Sequence, residues 1–377
     1  PKICGDGIGP LSLECLREVG FDLEKFSPYP RCRFVTLVSP GGGKWRPAYE
    51  KAAEDPDGLE YGHVIPRMVF DKEALDHAVA CGAKFEAGWS FAGLTREREW
   101  VTSVTLERNG EKITVRPKFL LAADGEHSQI RKTLTGKQRP ADWLALRGYV
   151  EGVRGLSTDM EFHFTPYLKP GYAWVFPEGG ERKANVGVYV HQKTLAKGPS
   201  IRQLYDQFLK DFSAAGRPLE GASPCGPAQG YPICPYHPGR RLHFGNCLLL
   251  GDAAGLADPL TGEGIFPALY SGLAAAEAVR QCLARGEKGD LSAYPGLLAR
   301  MFLPLRRRGI FLLGLLGHLP SLVDWIFSRA ATDEVLSSGI FAVVSGNESL
   351  ARLFSAPLWA RIYFPAFFRP KALPPGN

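Results

Sequence analysis

The chain lacks the residue patterns that build stapled or metal-clustered proteins. Its eight cysteines, at 4, 15, 32, 81, 225, 234, 247 and 282, form no CxxC pair, and its histidines do not cluster at ligand spacing. A disulfide framework and a zinc site are both disfavoured, and no metal is expected. Long basic runs are missing too. The 45 Lys and Arg exceed the 39 Asp and Glu by a net +6 that is spread along the chain, too dilute for a nucleic-acid surface. No apolar run reaches membrane-spanning length uninterrupted: the stretch from Gly309 to Phe327 is broken by His318, Pro320 and Asp324. Arg306, Arg307 and Arg308 precede that stretch. A basic cluster beside an apolar helix is one way to hold a peripheral protein on anionic lipid, and a core helix with a solvated basic end fits the same residues. The opening PKICGDGIGP is not a charged stretch followed by an apolar run, so the expected setting is cytoplasmic, with membrane contact through 306–327 as the variant. Internal repeats and low-complexity blocks are also lacking.

The composition that remains is that of an ordinary globular chain: 377 residues, 45% hydrophobic and 22% charged, enough for two or three domains. Forty-three glycines and 30 prolines point to many tight turns and to places where backbone approaches a ligand closely. Asn109-Gly110 sits between VTSVTLER and EKITV, which predicts a hairpin over 101–115. FLLAADG, from Phe119, reads as a fully buried strand ending at Asp124-Gly125, and CLLLGDAAG, from Cys247, as a second such strand. After it, Ile265, Ala268, Leu269, Leu273, Ala276 and Val279 recur at helical spacing, with Gly286 as a stop. Both units read strand, acidic loop, helix.

An apolar strand that delivers Asp to its carboxyl end, followed by glycines and a helix start, presents a carboxylate and backbone amides to a ligand. Asp252 would accept hydrogen bonds from sugar-type hydroxyls, and the amides at Gly262, Glu263 and Gly264 would face negative charge. In PGYAWVFP, Tyr172, Trp174 and Phe176 alternate, so in a strand they form one aromatic stripe that either fills a core or lines an apolar cavity. The following PEGGERK and NVGVYV complete a hairpin.

GDAAGLADPLTGEGI resembles the ribityl-binding stretch of FAD-dependent oxidoreductases of the para-hydroxybenzoate hydroxylase type, and AADGEHSQIRKTL their second FAD motif, with Asp124, Gly125, Ser128 and Arg131 at its positions. CGDGI at Cys4, YGHVIPRMVFDKEAL at Tyr61, PGYAWVFPEGG at Pro170 and NVGVYV at Asn185 together resemble the geranylgeranyl reductase family as far as about Arg285. The resemblance implies a mixed α/β fold. An FAD-binding Rossmann-like domain (1–140 and 236–290) would carry an inserted antiparallel-sheet substrate domain (141–235) and a C-terminal helical region (291–377). It places Cys4, Gly5 and Gly7 near the flavin ring, with Cys4 as the candidate catalytic residue, and Arg67 toward the nucleotide. Phe91 falls on the adenine side, and Asp124, Gly251, Asp252, Gly262, Gly264 and Ile265 are further contacts. Each has a plainer alternative: Cys4 a small buried apolar group, Asp124 a helix cap, Arg67 a solvated charge. With only four residues before Gly5, the Gly5/Gly7/Gly9 series has no strand to act as a dinucleotide fingerprint. About forty residues of that unit are expected to be missing from this sequence.

The implied activity is reduction of C=C bonds in a polyprenyl lipid, diphosphate or pigment precursor, with hydride from reduced FAD and NADPH or reduced ferredoxin as electron donor. A flavin monooxygenase or halogenase shares both FAD motifs, and a non-catalytic flavin- or lipid-binding protein is the alternative outside enzymes.

Overall fold

A computed structural model describes residues 2–50, 58–179, 182–196, 198–214, 216–217, 219–286 and 290–358. Strand β1 (Gly7–Ile8) leads into α1 (Pro10–Glu18), whose first turn holds Pro10 where a missing N–H costs nothing. Strands β2 (Arg31–Cys32), β3 (Val35–Val38), β4 (Lys44–Trp45) and β5 (Gly62–Val64) precede α2 (Arg67–Ala80). An antiparallel sheet of β6 (Ser90–Glu97), β7 (Trp100–Arg108) and β8 (Glu111–Val115) follows. Its second turn is the expected Asn109-Gly110, with φ of 52° and 85°, the left-handed pair that a two-residue hairpin requires. Next come β9 (Leu120–Ala122) and α3 (Gln129–Thr135).

The middle of the chain supplies β10 (Trp143–Glu151), β11 (Met160–His163), β12 (Tyr172–Glu178), β13 (Lys183–His191), α4 (Gln192–Leu195), α5 (Ile201–Phe212) and β14 (Ser223–Ile233). The large sheet has the order β14-β10-β13-β12-β11-β3-β4 and is antiparallel apart from the β11–β3 pair. Here the structure corrects the sequence reading: the sheet is not confined to 141–235, because the buried Val35–Val38 strand pairs with Met160–His163 and brings β4 with it.

Strands β15 (His243–Phe244) and β16 (Cys247–Leu249) lead to α6 (Gly251–Ala254) and α7 (Ile265–Ala284). β16 runs parallel to β9, so the two strand–acidic loop–helix units lie side by side. β9 is an edge strand rather than a fully buried one, and Leu121 on it is 45% exposed. Helix α7 also departs from expectation. It buries Ser271, Ala274, Ala275, Ala278 and Cys282, whereas Ala276 is exposed. Small side chains let α7 press into the core formed with β16 and α8 (Ala293–His318). The C-terminal region continues with α9 (Pro320–Ala330) and α10 (Glu334–Ser345). Pro320 cannot continue the preceding helix, and α8 and α9 meet at a bend of 109°. Among the described residues no single helix is long and apolar enough to cross a membrane. Instead α8–α10 cover the β3–β4 end of the large sheet, with Trp45, Leu316, Phe327 and Phe341 in one core.

Candidate active site

The site is built around the loop before α1. Strand β1 starts at Gly7 and pairs antiparallel with β5, so the glycine series does have a strand, but one that begins inside the series instead of feeding it. Tyr172, Trp174 and Phe176 are all buried on β12, and the loop lies directly against them. A Cβ on Gly5 would stand 3.1 Å from Trp174 Nε1, and one on Gly7 2.8 Å from a Phe176 ring carbon, so glycine is needed for this approach.

Between the two glycines stands Asp6, fully buried with φ of 64°. Its Oδ2 accepts from the Tyr149 hydroxyl (2.7 Å) and Asn185 Nδ2 (2.7 Å), and its Oδ1 from the Arg67 N–H (3.2 Å). Asn185 Nδ2 also donates to the Cys4 carbonyl (3.0 Å), while its Oδ1 accepts from Trp174 Nε1 (3.0 Å). One buried amide therefore ties the loop to the aromatic stripe. Burial pushes the Asp6 carboxyl above its ordinary range, although these donors pull the other way. Arg67, at the start of α2, is clamped by Asp71 at 2.8 and 2.6 Å. Burial works against its charge, and Cys4 and Asp71 more than restore it.

Opposite the loop stand α6 and the start of α7. The Asp252 carboxylate is mostly buried and forms an ion pair with Lys2, with the Tyr231 hydroxyl at 3.4 Å. The expected free carboxylate thus already has a counter-charge. Burial would lower the Lys2 ammonium, and Asp252 outweighs it, leaving the net shift upward. Gly262 has φ of 67°, and a Cβ there would meet the Tyr189 ring at 2.9 Å. Gly264 caps α7, and a Cβ on it would stand 3.2 Å from Asp252 Oδ1. The positive end of this 20-residue helix, whose cap Gly264 offers no side chain of its own, therefore lies close to Asp252.

These elements enclose a cavity of about 280 Å³. Cys4, Gly5, Gly7, Arg67, Tyr172, Trp174, Phe176, Asp252, Gly262, Gly264 and Ile265 all line it. Three expected residues do not. Phe91, on β6, packs against the core of the β9–β16 sheet. Gly251 donates its N–H to Ser271 Oγ (3.0 Å) and so braces α6 against α7. Asp124 braces the start of α3, whose cap is Ser128, accepting from Ser128 Oγ (2.6 Å) and the Ile130 N–H (3.2 Å). The motif around Asp124 nonetheless supports the site from behind. Arg131 donates to the Ala253 carbonyl (3.0 Å), and Arg139, paired with Glu126, donates to the Asp252 carbonyl (2.8 Å).

A second cavity, of about 410 Å³, lies between the β3–β4 end of the sheet and α8–α10. Its wall is almost wholly apolar and includes Leu37, Trp45, Phe164, Leu316, Phe327 and Phe341. The two cavities share Gly9, Tyr49, Phe162, Tyr172, Ala257, Thr261 and Glu263 as wall residues. Asp6, Asn185, Lys2, Tyr49 and the Glu263 side chain were not singled out from sequence as site side chains; only the loop contact between Gly5 and Gly7 and the asparagine of NVGVYV hinted at two of them. The donor set suits a flavin: a glycine-lined slot, helix-start amides for an electron-rich ring edge, and a carboxylate for sugar-alcohol hydroxyls. Among the described residues no group of His, Cys, Asp and Glu could hold a metal ion.

The family described as FAD binding domain matches residues 4–283. The digeranylgeranylglycerophospholipid reductase of Methanocella arvoryzae is 29% identical over 298 residues, 78% of this chain and 70% of that protein. Digeranylgeranylglycerophospholipid reductase 1 of Methanopyrus kandleri is 32% identical over 299 residues, covering 78% of this chain and 73% of that protein. A geranylgeranyl bacteriochlorophyll reductase-like protein from Thermoplasma acidophilum, solved by crystallography, superposes with a TM-score of 0.77 at 22% identity, covering 96% of this chain and 88% of that one. That last likeness is one of fold.

Proposed function

The chain belongs to the geranylgeranyl reductase family of FAD-dependent oxidoreductases, and on that premise we propose that it reduces carbon–carbon double bonds of a polyprenyl lipid. One observation carries the reading: the polar cradle and the larger apolar cavity share a wall, so a long hydrocarbon chain can lie among α8–α10 while one of its double bonds reaches the cradle. FAD supplies two-electron hydride chemistry when bound. Asp252 would hold its sugar-alcohol arm, Gly262 to Ile265 would present helix-start amides, and the Gly5–Gly7 loop would lie along the ring. Tyr172, Trp174 and Phe176 exclude water and offer flat faces to an alkene. Cys4 stands on the cradle wall beside Arg67, which keeps it as the candidate reactive residue.

The electron donor in this reading is NADPH or a reduced ferredoxin. Membrane contact rests on Ile310 and Leu319, 47% and 50% exposed, and on the exposed Arg307. Arg308 takes no part in it, because it is buried against Asp258 at 2.6 Å. The test is anaerobic incubation of the FAD-loaded protein with dithionite and a geranylgeranyl lipid, followed by product mass. Gain of two hydrogens per double bond is expected. Gain of oxygen or halogen in air would replace the reading with the monooxygenase or halogenase one, and a protein that holds flavin without ever reducing a prenyl lipid would end it.

A further inference from the structure

Saturating an isolated alkene takes a proton as well as a hydride, and the cradle residues above account only for the hydride side. This inference rests on the reductase reading and deepens it. We propose that the carboxyl group of Glu263, standing where the cradle meets the apolar cavity, is the general acid that protonates one carbon of the alkene while the other receives hydride.

Of the seven residues that line both cavities, three carry an ionisable group: Tyr49, Tyr172 and Glu263. The two phenols are poor donors. Burial pushes both far above their ordinary range, and the Tyr172 hydroxyl is already donated to the Thr261 carbonyl. Asp258 lines the apolar cavity alone. It is committed to Arg308 through Oδ2, and its Oδ1 accepts from the Leu260 N–H, the Thr261 N–H and the Thr261 hydroxyl. Glu263 is left as the carboxylic acid at the junction.

Its surroundings favour the protonated form that a donor needs. Burial pushes the carboxyl up, and the charge of Asp258, on the turn before α7, adds to that. Three groups oppose: Ser12 on α1, whose hydroxyl donates to Oε1 at 2.9 Å, the Phe266 N–H on α7, and Arg308 on α8. The net shift is upward. Tyr49, Tyr172 on β12 and Cys15 on α1 also couple to Glu263, and burial keeps all three uncharged. A general acid works best when its pKa lies nearer the operating pH than a free carboxyl's does.

The step balances. The alkene π pair forms a C–H bond to the proton of Glu263, and the neighbouring carbon forms its C–H bond with the hydride and both its electrons, supplied by reduced FAD. The substrate gains two hydrogens, FAD is oxidised by two electrons, and the Glu263 carboxylate, still hydrogen-bonded to Ser12, recovers its proton from water.

Glu263→Gln and Glu263→Asp test the role. Flavin affinity, single-turnover reduction of a geranylgeranyl lipid across pH, and an infrared pH titration for a protonated-carboxyl band are measured on wild type and both variants. E263Q is expected to bind FAD within about threefold of wild type, to lose the infrared band, and to reduce the alkene on the order of 10²–10⁴-fold more slowly. E263D should recover part of the rate. The wild-type rate should fall as pH rises through the titration seen by infrared. A wild-type rate in E263Q, a rate loss matched by an equal loss of FAD affinity, or no band to lose would each overturn the role while leaving the reductase reading intact. Failure of wild type itself to reduce the lipid would overturn that reading, and this role with it.

Discussion

Replacing Asn185 with leucine removes the amide that joins loop to stripe while keeping the number and branching of its side-chain heavy atoms. Asn185 is fully buried and makes three hydrogen bonds, to Trp174 Nε1, the Cys4 carbonyl and Asp6 Oδ2. A typical bond contributes about 1 kcal/mol net, and a partner left buried and unsatisfied costs about 1–3 kcal/mol. Trp174 Nε1 has no water to turn to at 5% residue exposure. Asp6 keeps Tyr149 and the Arg67 N–H, so its loss sits at the low end. Together the substitution should cost about 3–5 kcal/mol, a large part of the ordinary stability of a domain. Urea denaturation reads this as a lowered midpoint at unchanged slope. FAD affinity should fall at least tenfold, because a loop in a left-handed conformation at Asp6 has lost its tether. N185L within 1 kcal/mol of wild type, with unaltered FAD affinity, would show that the loop is held by packing alone and that the network is incidental.

Three further outcomes follow from the same structure. Arg308→Met leaves the mostly buried Asp258 carboxylate without its counter-charge and should destabilise the protein by about 3–5 kcal/mol, read as a lowered melting temperature; a loss under 1 kcal/mol would show that the pair is screened. Leu316→Trp adds volume to the apolar cavity wall and should slow turnover of a geranylgeranyl chain several-fold more than of a farnesyl chain, with equal slowing as the contrary result. Burial lowers His63 from 6.5 to about 4, with Arg31 adding to it, so the native state binds fewer protons than the unfolded chain. Its contribution is present above pH 6.5 and lost as pH falls toward 4, on the order of 1–3 kcal/mol once solvent screening is allowed for. An NMR titration should find the ring neutral down to about pH 5, and a ring charged at pH 6 would contradict it.

What could be read from sequence was what local chemistry decides. Asn109-Gly110 makes its turn because left-handed φ is a property of those two residues. The aromatic alternation of 172, 174 and 176 puts three rings on one face because a strand has no choice in the matter. The GDAAG and TGEGI segments are contiguous in sequence and bracket one cavity wall. Failures came where a distant partner decides. Val35–Val38 joins a sheet 125 residues further on by parallel pairing, which no short window records. Asp124 had two legitimate roles, and the folded geometry alone shows it bracing the start of α3 through Ser128 Oγ and the Ile130 N–H. On α7 the expected stripe included Ala268 and Ala276, which are exposed, and passed over Ala274, Ala275 and Ala278, which are buried, because close approach to the neighbouring elements of the core rewards small side chains.

Helices α8–α10 show why the larger cavity was not foreseen. Hydrophobic periodicity reports which face of a helix leaves water, and it is blind to whether that face meets protein or an empty slot. Leu312, Leu315 and Leu316 look like ordinary core leucines, and in part they are, packing with Trp45 and Phe327. The same side chains also line an apolar space of about 410 Å³. Proteins rarely keep such voids, because each unfilled cubic ångström forfeits contact energy. A chain of isoprene units would restore those contacts at about 0.8 kcal/mol per buried methylene, so the void is understandable as space that the substrate completes. The bend at Pro320 serves the same end: the 109° turn between α8 and α9 brings Val323, Ile326 and Phe327 into the cavity wall. In the proposed reaction, substrate reach would be set by the helices and chemistry by the loop and the start of α7, with Glu263 among the residues that line both cavities.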